Sequence, residues 1–360
     1  MRHITVALIL GGLAALTSGC MNGGAVPPSG GVGGGVPSLT EPPGDRIRIR
    51  EFADLPQYGS GYYMPSAVTA GPGGLMWITD TIDQDFGENA VVAIATSGAQ
   101  QHLYYYGGIS SQGSSFSDIV EGPDGNLWIT DVYNEQILKL TPGGSYTGFP
   151  LHNYSAPLGI CSGPDRALWF ADDGLPPEIG RITTSGQIKL FPIPALANDI
   201  AAGPDGALWF TQPNSGQIGR ITKRGKVTEF SKGISFDAKP YSIAPGPDGA
   251  LWFTERSIGQ IGRITTAGKV TEYSSGITPT EQPFDIAAGP DGAMWFTEYE
   301  TYGSYQVRAS KIGRITMQGK ITEHSIGINP KAGPTGITRG YGDRLWFVES
   351  SRDMTGRINI

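Results

Sequence analysis

Apolar and polar residues fall along this chain in short runs that punctuation residues keep interrupting. In its cleanest stretch they read strand by strand: 241 to 244, then Ala-Leu-Trp-Phe-Thr-Glu at 250 to 255, Gln-Ile-Gly-Arg-Ile-Thr at 260 to 265, and Lys-Val-Thr-Glu-Tyr at 269 to 273. Each run is short and bounded by Gly, Pro or Asp, which is the pattern of strands joined by tight turns. The whole phrase then repeats. All seven tryptophans, Trp77, Trp128, Trp169, Trp209, Trp252, Trp295 and Trp346, sit in the form (L/M)-W-(I/F)-(T/A/V)-(D/E/Q), spaced 40 to 51 residues apart. A Gly-Pro-Asp-Gly-like turn precedes each Trp, and in most copies Ile-Gly-Arg-Ile-Thr follows it.

A period in the forties made of four short strands predicts an all-β fold, a seven-bladed β-propeller of four-stranded antiparallel blades. The innermost strands A begin near Pro65, Ser117, Pro157, Asn198, Tyr241, Pro283 and Pro334, and each Trp lies on the second strand, B. Packing of each indole between neighbouring blades is the expected use of so large a ring. Blade 7 runs out of chain at Ile360 before its outer strand D. Residues 47 to 52, Ile-Arg-Ile-Arg-Glu-Phe, alternate apolar and charged and precede blade 1, so an N-terminal strand completing the last blade is expected. That closure removes the unpaired edge at the seam.

Composition supports this reading. The 54 Gly and 27 Pro suit a turn every few residues. Residues 1–19 have the form of a lipoprotein-type signal peptide: Arg2, an apolar run too short to span a bilayer, then Thr17-Ser18-Gly19 before Cys20. Lipidation of Cys20 would anchor the protein to a membrane, giving an extracytoplasmic location in a bacterial envelope. Residues 20–46, rich in Gly and Pro, form the expected tether, and 47–360 the propeller. Only Cys161 remains in that domain, so it has no internal disulfide, and the residue reads as a small buried apolar group. A net charge of -7 without basic runs excludes a nucleic-acid partner, and a monomer is expected.

The A to B and C to D turns are short and uniform, whereas the opposite face, carrying B to C loops and D to A connections, varies. On that face strand B closes with Asp80, Asp131, Asp172, Gln212, Glu255, Glu298 and Glu349, and strand A carries Asp118, Asp199 and Asp285 at one register. The three aspartates are the candidate metal ligands, for Mg2+ or Ca2+. Their alternative use is to satisfy backbone N–H groups, or to pair with strand C arginines such as Arg263 or Arg314. Blade 6 has a long aromatic loop from Tyr299 to Ser310. Tyr241, Phe284, Asp285, Tyr299, Tyr302 and Arg308 are the candidate binding residues, suited to a small molecule, glycan or peptide.

The phrases at 246 to 255 and 261 to 272 resemble those of the streptogramin B lyases, also called virginiamycin B lyases, and the similarity extends over about 47 to 360. The resemblance implies a seven-bladed propeller that opens a cyclic depsipeptide at its ester by elimination, using Mg2+ and a general base. It places the family's chemistry on His residues following Pro at the start of strand A in the last two blades, with Glu residues nearby. Here those His places hold Phe284 and Thr335, and the Glu places hold Gly333 and Ser350. A phenyl ring accepts no proton. His102 and His324 are expected at the solvated outer rim, leaving His152, in the connection entering blade 3, as the remaining base. A member of the family that binds a ligand or partner is therefore the leading expectation. The rivals are a Mg2+-dependent carbon–oxygen lyase using aspartates in place of His, and an envelope scaffold.

Overall fold

The computed structural model describes residues 47–53, 63–82, 88–107, 115–302, 306–352 and 354–360. The expected signal, Cys20 and the tether lie outside them. Seven four-stranded antiparallel sheets make up the described structure. Blade 5 is representative, with strands Pro240–Pro245, Ala250–Glu255, Gln260–Thr265 and Val270–Tyr273 paired in chain order. The seam is closed as the alternation at the N-terminus predicts. Strand Arg48–Ala53 pairs antiparallel with Met354–Asn359, from Arg48 opposite Asn359 to Ala53 opposite Met354, and so supplies strand D of blade 7.

The repeated phrase has a packing reason for each letter. In blade 4, Trp209 on strand B stands opposite Arg220 on strand C. Its ring stacks on Phe230 of strand D at 5.4 Å, with the Arg220 guanidinium 5.9 Å from the indole. The indole N–H donates to Asp205 Oδ1 in the A to B turn at 3.1 Å, and Arg220 Nε donates to Asp205 Oδ2 at 2.7 Å. Asp165, Asp248 and Asp291 repeat both contacts in blades 3, 5 and 6. Burial pulls these carboxyls upward, yet the indole and guanidinium donors together hold each below the usual aspartate value. Arg263 and Arg314 are thus committed to Asp248 and Asp291 in the uniform turns, and not to the acids that close strand B.

Phe210, next to Trp209, faces the other side of the sheet and lies over Gly219, where a Cβ would come within 2.1 Å of the ring. Only Gly fits beneath it. Phe210 meets Trp169 of blade 3 in one buried cluster, and the same partnership joins Trp209 to Phe253, Trp252 to Phe296 and Trp295 to Phe347. Across the seam, Trp346 packs with Ile78 and Val92 of blade 1. All seven indoles are at most 1% exposed. Burial of each contributes about 2–3 kcal/mol, and the Trp ladder is therefore the mortar between blades.

Two expectations need correcting. The aromatic segment of blade 6 is largely strand, Met294–Tyr302 paired with Gln306–Ile315, because its Tyr and Val residues suit an extended hairpin. His324 is not simply solvated: it is half-buried on strand D and stacks on Trp295 at 5.6 Å, in the place that Phe230 and Tyr273 take in blades 4 and 5. His102 is exposed on strand D of blade 1, as expected. Cys161 is half-buried beside the Trp169 cluster, and burial pushes its thiol up.

Candidate functional site

The axial opening is shaped by an irregularity near the start of strand A. Pairing with strand B shifts register between Pro157 and Ile160, Pro240 and Ile243, Pro283 and Ile286, and Pro334 and Ile337. The extra residue at each bulge turns side chains toward the axis. A strand B threonine supports the bulge: Thr254 Oγ1 accepts the Ser242 N–H of its own blade at 3.0 Å and donates to the Phe284 carbonyl of the next at 3.0 Å. Thr130, Thr211 and Thr297 repeat this relay. Blade 3 has Ala171 there, and the Gly159 N–H reaches Asn198 O directly at 3.0 Å.

Two rings of side chains result around a cavity of about 140 Å³. The outer ring, at the mouth, includes Tyr241, Phe284, Thr335, Ser66, Leu158 and Asn198; the inner ring, at the waist, includes Asp118, Asp199 and Asp285 separated by small residues. A second space of about 380 Å³ continues past the waist and also touches Asp118 and Asp285. The predicted aspartate register therefore does face the axis.

Each aspartate is also a staple between blades. Asp118 accepts the N–H groups of Ile119 and, in blade 3, Ile160 at 2.8 and 2.9 Å. Asp199 accepts those of Ile200 and Ile243 at 2.7 and 2.8 Å. Asp285 accepts those of Ile286 and Ile337 at 2.8 and 2.7 Å and the Ser242 hydroxyl at 2.6 Å. Burial raises all three carboxyls, Asp118 to about 7 and Asp199 to about 8, and their mutual repulsion across the axis adds to the rise at Asp118 and Asp199. With both oxygens of each holding backbone N–H groups, the trio has the contacts of the structural alternative. It is also not a set whose ligand atoms converge within 4.8 Å. Gly333 and Ser350, at the family's Glu places, bring no carboxylate, and the Ser350 hydroxyl donates to Gly333 O at 3.0 Å. These residues do not fit the Mg2+ that the family's chemistry calls for.

The acids closing strand B do not line the axial cavity among its described residues. They lie buried within the blades: Asp131 accepts from the Asn134 and Gln136 amides, and Glu255, buried beside Glu272, is pushed up to about 9. The next residue along does reach the mouth, as Val132 and Asp173 show, and burial together with Asp172 pushes Asp173 up to about 7.

That same position holds Arg256 in blade 5 and Tyr299 in blade 6, and here an aromatic shelf forms. Tyr241 and Phe284 meet at 4.7 Å, and Phe284 and Tyr299 at 5.7 Å. The Arg256 guanidinium covers both Tyr241 and Phe284, 5.2 and 4.7 Å from their centroids, and forms no ion pair with a carboxylate among the described residues. Sequence reasoning missed Arg256, although its signal was available: it occupies the register of Tyr299 and Ser350. Of the other expected binding residues, Arg308 is exposed at a register shift of the blade 6 hairpin, outside this cluster, and Tyr302 lies at the end of strand B. Asp285 lies at the waist below the shelf. His152 is absent from the described cavity lining and is bonded instead to Glu178, at 2.8 Å.

The virginiamycin B lyase family model matches residues 48–303 and 200–360. Selenomethionine-substituted virginiamycin B lyase from Staphylococcus aureus superposes with a TM-score of 0.74 at 31% identity, covering 87% of this chain and 99% of that one. A streptogramin B lyase structure gives 0.73 and 30%, with 87% and 97% covered. A catalytically inactive His-to-Ala variant of the S. aureus lyase with quinupristin gives 0.73 and 30%, covering 87% and 99%. No curated protein matches the chain. Fold, repeat phrase and these likenesses agree, and the chain belongs to the virginiamycin B lyase family.

Proposed function

We propose that this protein binds a compact peptide-like ligand bearing an aromatic ring and acyl oxygens on its loop-rich face, without linearising it by the family's route. The observation that carries the reading is the Tyr241, Phe284 and Tyr299 shelf under Arg256 at the cavity mouth. Half-buried aromatic faces offer stacking, and an arginine without a carboxylate partner offers several N–H donors to carbonyl oxygens. The cavity admits little more than one ring: an engineered apolar cavity of about 150 Å³ holds a benzene. A side group would enter while the body of the ligand lies across the face. The S. aureus relative structure with quinupristin makes a cyclic depsipeptide the first ligand to test. In that relative a single His-to-Ala change accompanies inactivity, and here Phe284 and Thr335 stand at the two family His places.

The test is calorimetric titration with quinupristin, with chromatography of the same samples after incubation with Mg2+. Saturable binding of intact ligand, weakened about tenfold or more in Phe284→Ala and Arg256→Ala, is expected; tenfold corresponds to about 1.4 kcal/mol. Absence of binding overturns the reading. So does ring opening that Asp285→Ala abolishes, which would establish the alternative, a Mg2+-dependent carbon–oxygen lyase favoured by family membership. The anchor belongs to the same proposal, resting on the sequence around Cys20. Cys20→Ser should move the protein from the membrane fraction to the soluble one, and an unchanged distribution would remove lipidation from the account.

A further inference from the structure

On the loop-rich face of blade 3, apart from the aromatic shelf, His152, Asp172 and Glu178 bring ligand atoms within 4.8 Å of one another. Asp172 closes strand B, Glu178 opens strand C, and the two are direct cross-strand partners. Their side chains therefore share one side of the sheet. His152 arrives from the connection entering the blade. The local backbone is fixed: Asp173 N–H donates to Ala156 O at 3.0 Å and Leu175 N–H to Tyr154 O at 3.1 Å. A Cβ on Gly174 would stand 2.2 Å from the Tyr154 carbonyl oxygen. Connection and B to C turn are thus already locked together.

The protons in this trio do not balance without a further positive charge. His152 Nδ1 lies 2.9 Å from the Asn153 carbonyl oxygen, which can only accept, so Nδ1 carries a hydrogen. Nε2 of that neutral tautomer is a lone pair, and it faces Glu178 Oε2, another acceptor, at 2.8 Å. The two acceptors must share either a proton or a metal ion bound beside them. A proton on Nε2 would satisfy this pair and nothing more. It would leave Asp172 Oδ2, on a residue with no exposed surface, without a hydrogen-bond partner. Asp172 Oδ1 is already taken by the N–H groups of Ala156 and Gly174 at 2.7 and 2.9 Å. The Ser155 hydroxyl, itself unpartnered and beside Asp172, can supply one neutral hydrogen bond there, which neutralises neither carboxylate. A divalent ion would serve all three acceptors and neutralise both carboxylates.

We propose that His152 Nε2, Asp172 Oδ2 and Glu178 Oε2 hold one first-row divalent cation of the Zn2+ class, with a fourth position open to solvent. An imidazole whose other nitrogen donates to a carbonyl is oriented in the way that metal-bound histidines are. One nitrogen and two carboxylates suit Zn2+ or Co2+, whereas Mg2+ and Ca2+ prefer oxygen alone. The His152 side chain is 34% exposed, which leaves a path for the ion and room for a bound water. Asp173, which follows Asp172, lines the axial cavity, so the ion would brace the cavity wall against the rim.

The test strips the purified protein with a chelator and titrates it with Co2+. Visible absorption of a low-coordinate Co2+ site saturating at one equivalent, displaced by Zn2+ and lost in His152→Ala, is the expected result, with a rise in melting temperature on adding Zn2+ that Asp172→Asn reduces. Three results overturn the proposal: no absorption and no thermal shift, binding unchanged in His152→Ala, or stabilisation by Mg2+ equal to that by Zn2+. Should wild type bind no metal while His152→Ala melts lower, the trio is an imidazolium–carboxylate pair and the site is refuted.

Discussion

The residues facing the axis carry a conflict between architecture and charge. Asp118, Asp199 and Asp285 each hold N–H groups of two strands, which favours the ionised form, yet they are half-buried, and Asp118 and Asp199 feel other carboxylates across the waist. Burial wins, and their folded values stand above the ordinary aspartate value of 3.8, at about 7 for Asp118 and about 8 for Asp199. Between 3.8 and about 8 the folded chain therefore binds more protons than the unfolded chain, and linkage makes stability fall as pH rises through that interval. The stabilising share of these groups is fully present below the unfolded value and lost once pH passes the folded one. Below it, the turn aspartates act in the opposite sense: Asp165, Asp205, Asp248 and Asp291 are held low by indole and arginine donors, so their contribution is lost on acidification. A maximum in mildly acidic solution is expected from chemical unfolding at a series of pH values. Asp199→Asn should flatten the decline from pH 5 to 8; an unaltered slope would show that the waist carboxyls do not titrate there.

At the scale of strands, the regular features were legible in the sequence and the irregular ones were not. Strand positions in blade 5 follow from alternation and turn residues to within a residue or so, because Trp252, Phe253 and Gly262 each answer a local packing demand that repeats around the ring. The aspartate register of strand A was likewise visible, since seven copies of one phrase can be laid beside one another. What the phrase does not spell is the bulge between Pro283 and Ile286, which is held by the Thr297 hydroxyl of a different strand and the Thr254 hydroxyl of a different blade. That bulge decides that Phe284 stands at the mouth and Asp285 at the waist. Arg256 stayed hidden for a related reason: Tyr241 lies across its own hairpin, but Phe284 reaches it only when blades 5 and 6 dock. The blade 6 segment misled in the other direction. Its variable composition reads as loop, whereas hairpin pairing from Met294 to Ile315 extends the sheet outward and stands Tyr299 against Phe284.

For the molecule as a whole, everything at the mouth depends on a ring that is fastened by the two ends of the domain. Arg48–Ala53 covers the free side of Met354–Asn359, Phe52 stacks on Trp346 at 5.7 Å, and Glu51 accepts the Asn329 N–H at 2.5 Å. Removing residues through Ala53 would expose the backbone of Met354–Asn359 along its length and uncover Trp346 toward blade 1, where Phe52 also packs against Gly98. An open edge of that length invites pairing with another chain. Size-exclusion chromatography of the truncated protein should show self-association, and its melting transition should fall and broaden. Loss of a strand could act by simple destabilisation, so a permuted chain separates the causes. Arg48 stands directly opposite Asn359, and a two-residue turn can therefore join Ile360 to Ile47 as an ordinary C to D hairpin, with new termini opened at the blade 2 turn around Gly143. If the ends merely decorate a ring that closes by itself, truncated and permuted proteins should both elute as the parent protein does. If they are the clasp, only the permuted one will, and it alone should retain ligand binding at the Tyr241 and Phe284 shelf on blades 5 and 6, beside the repaired blade 7.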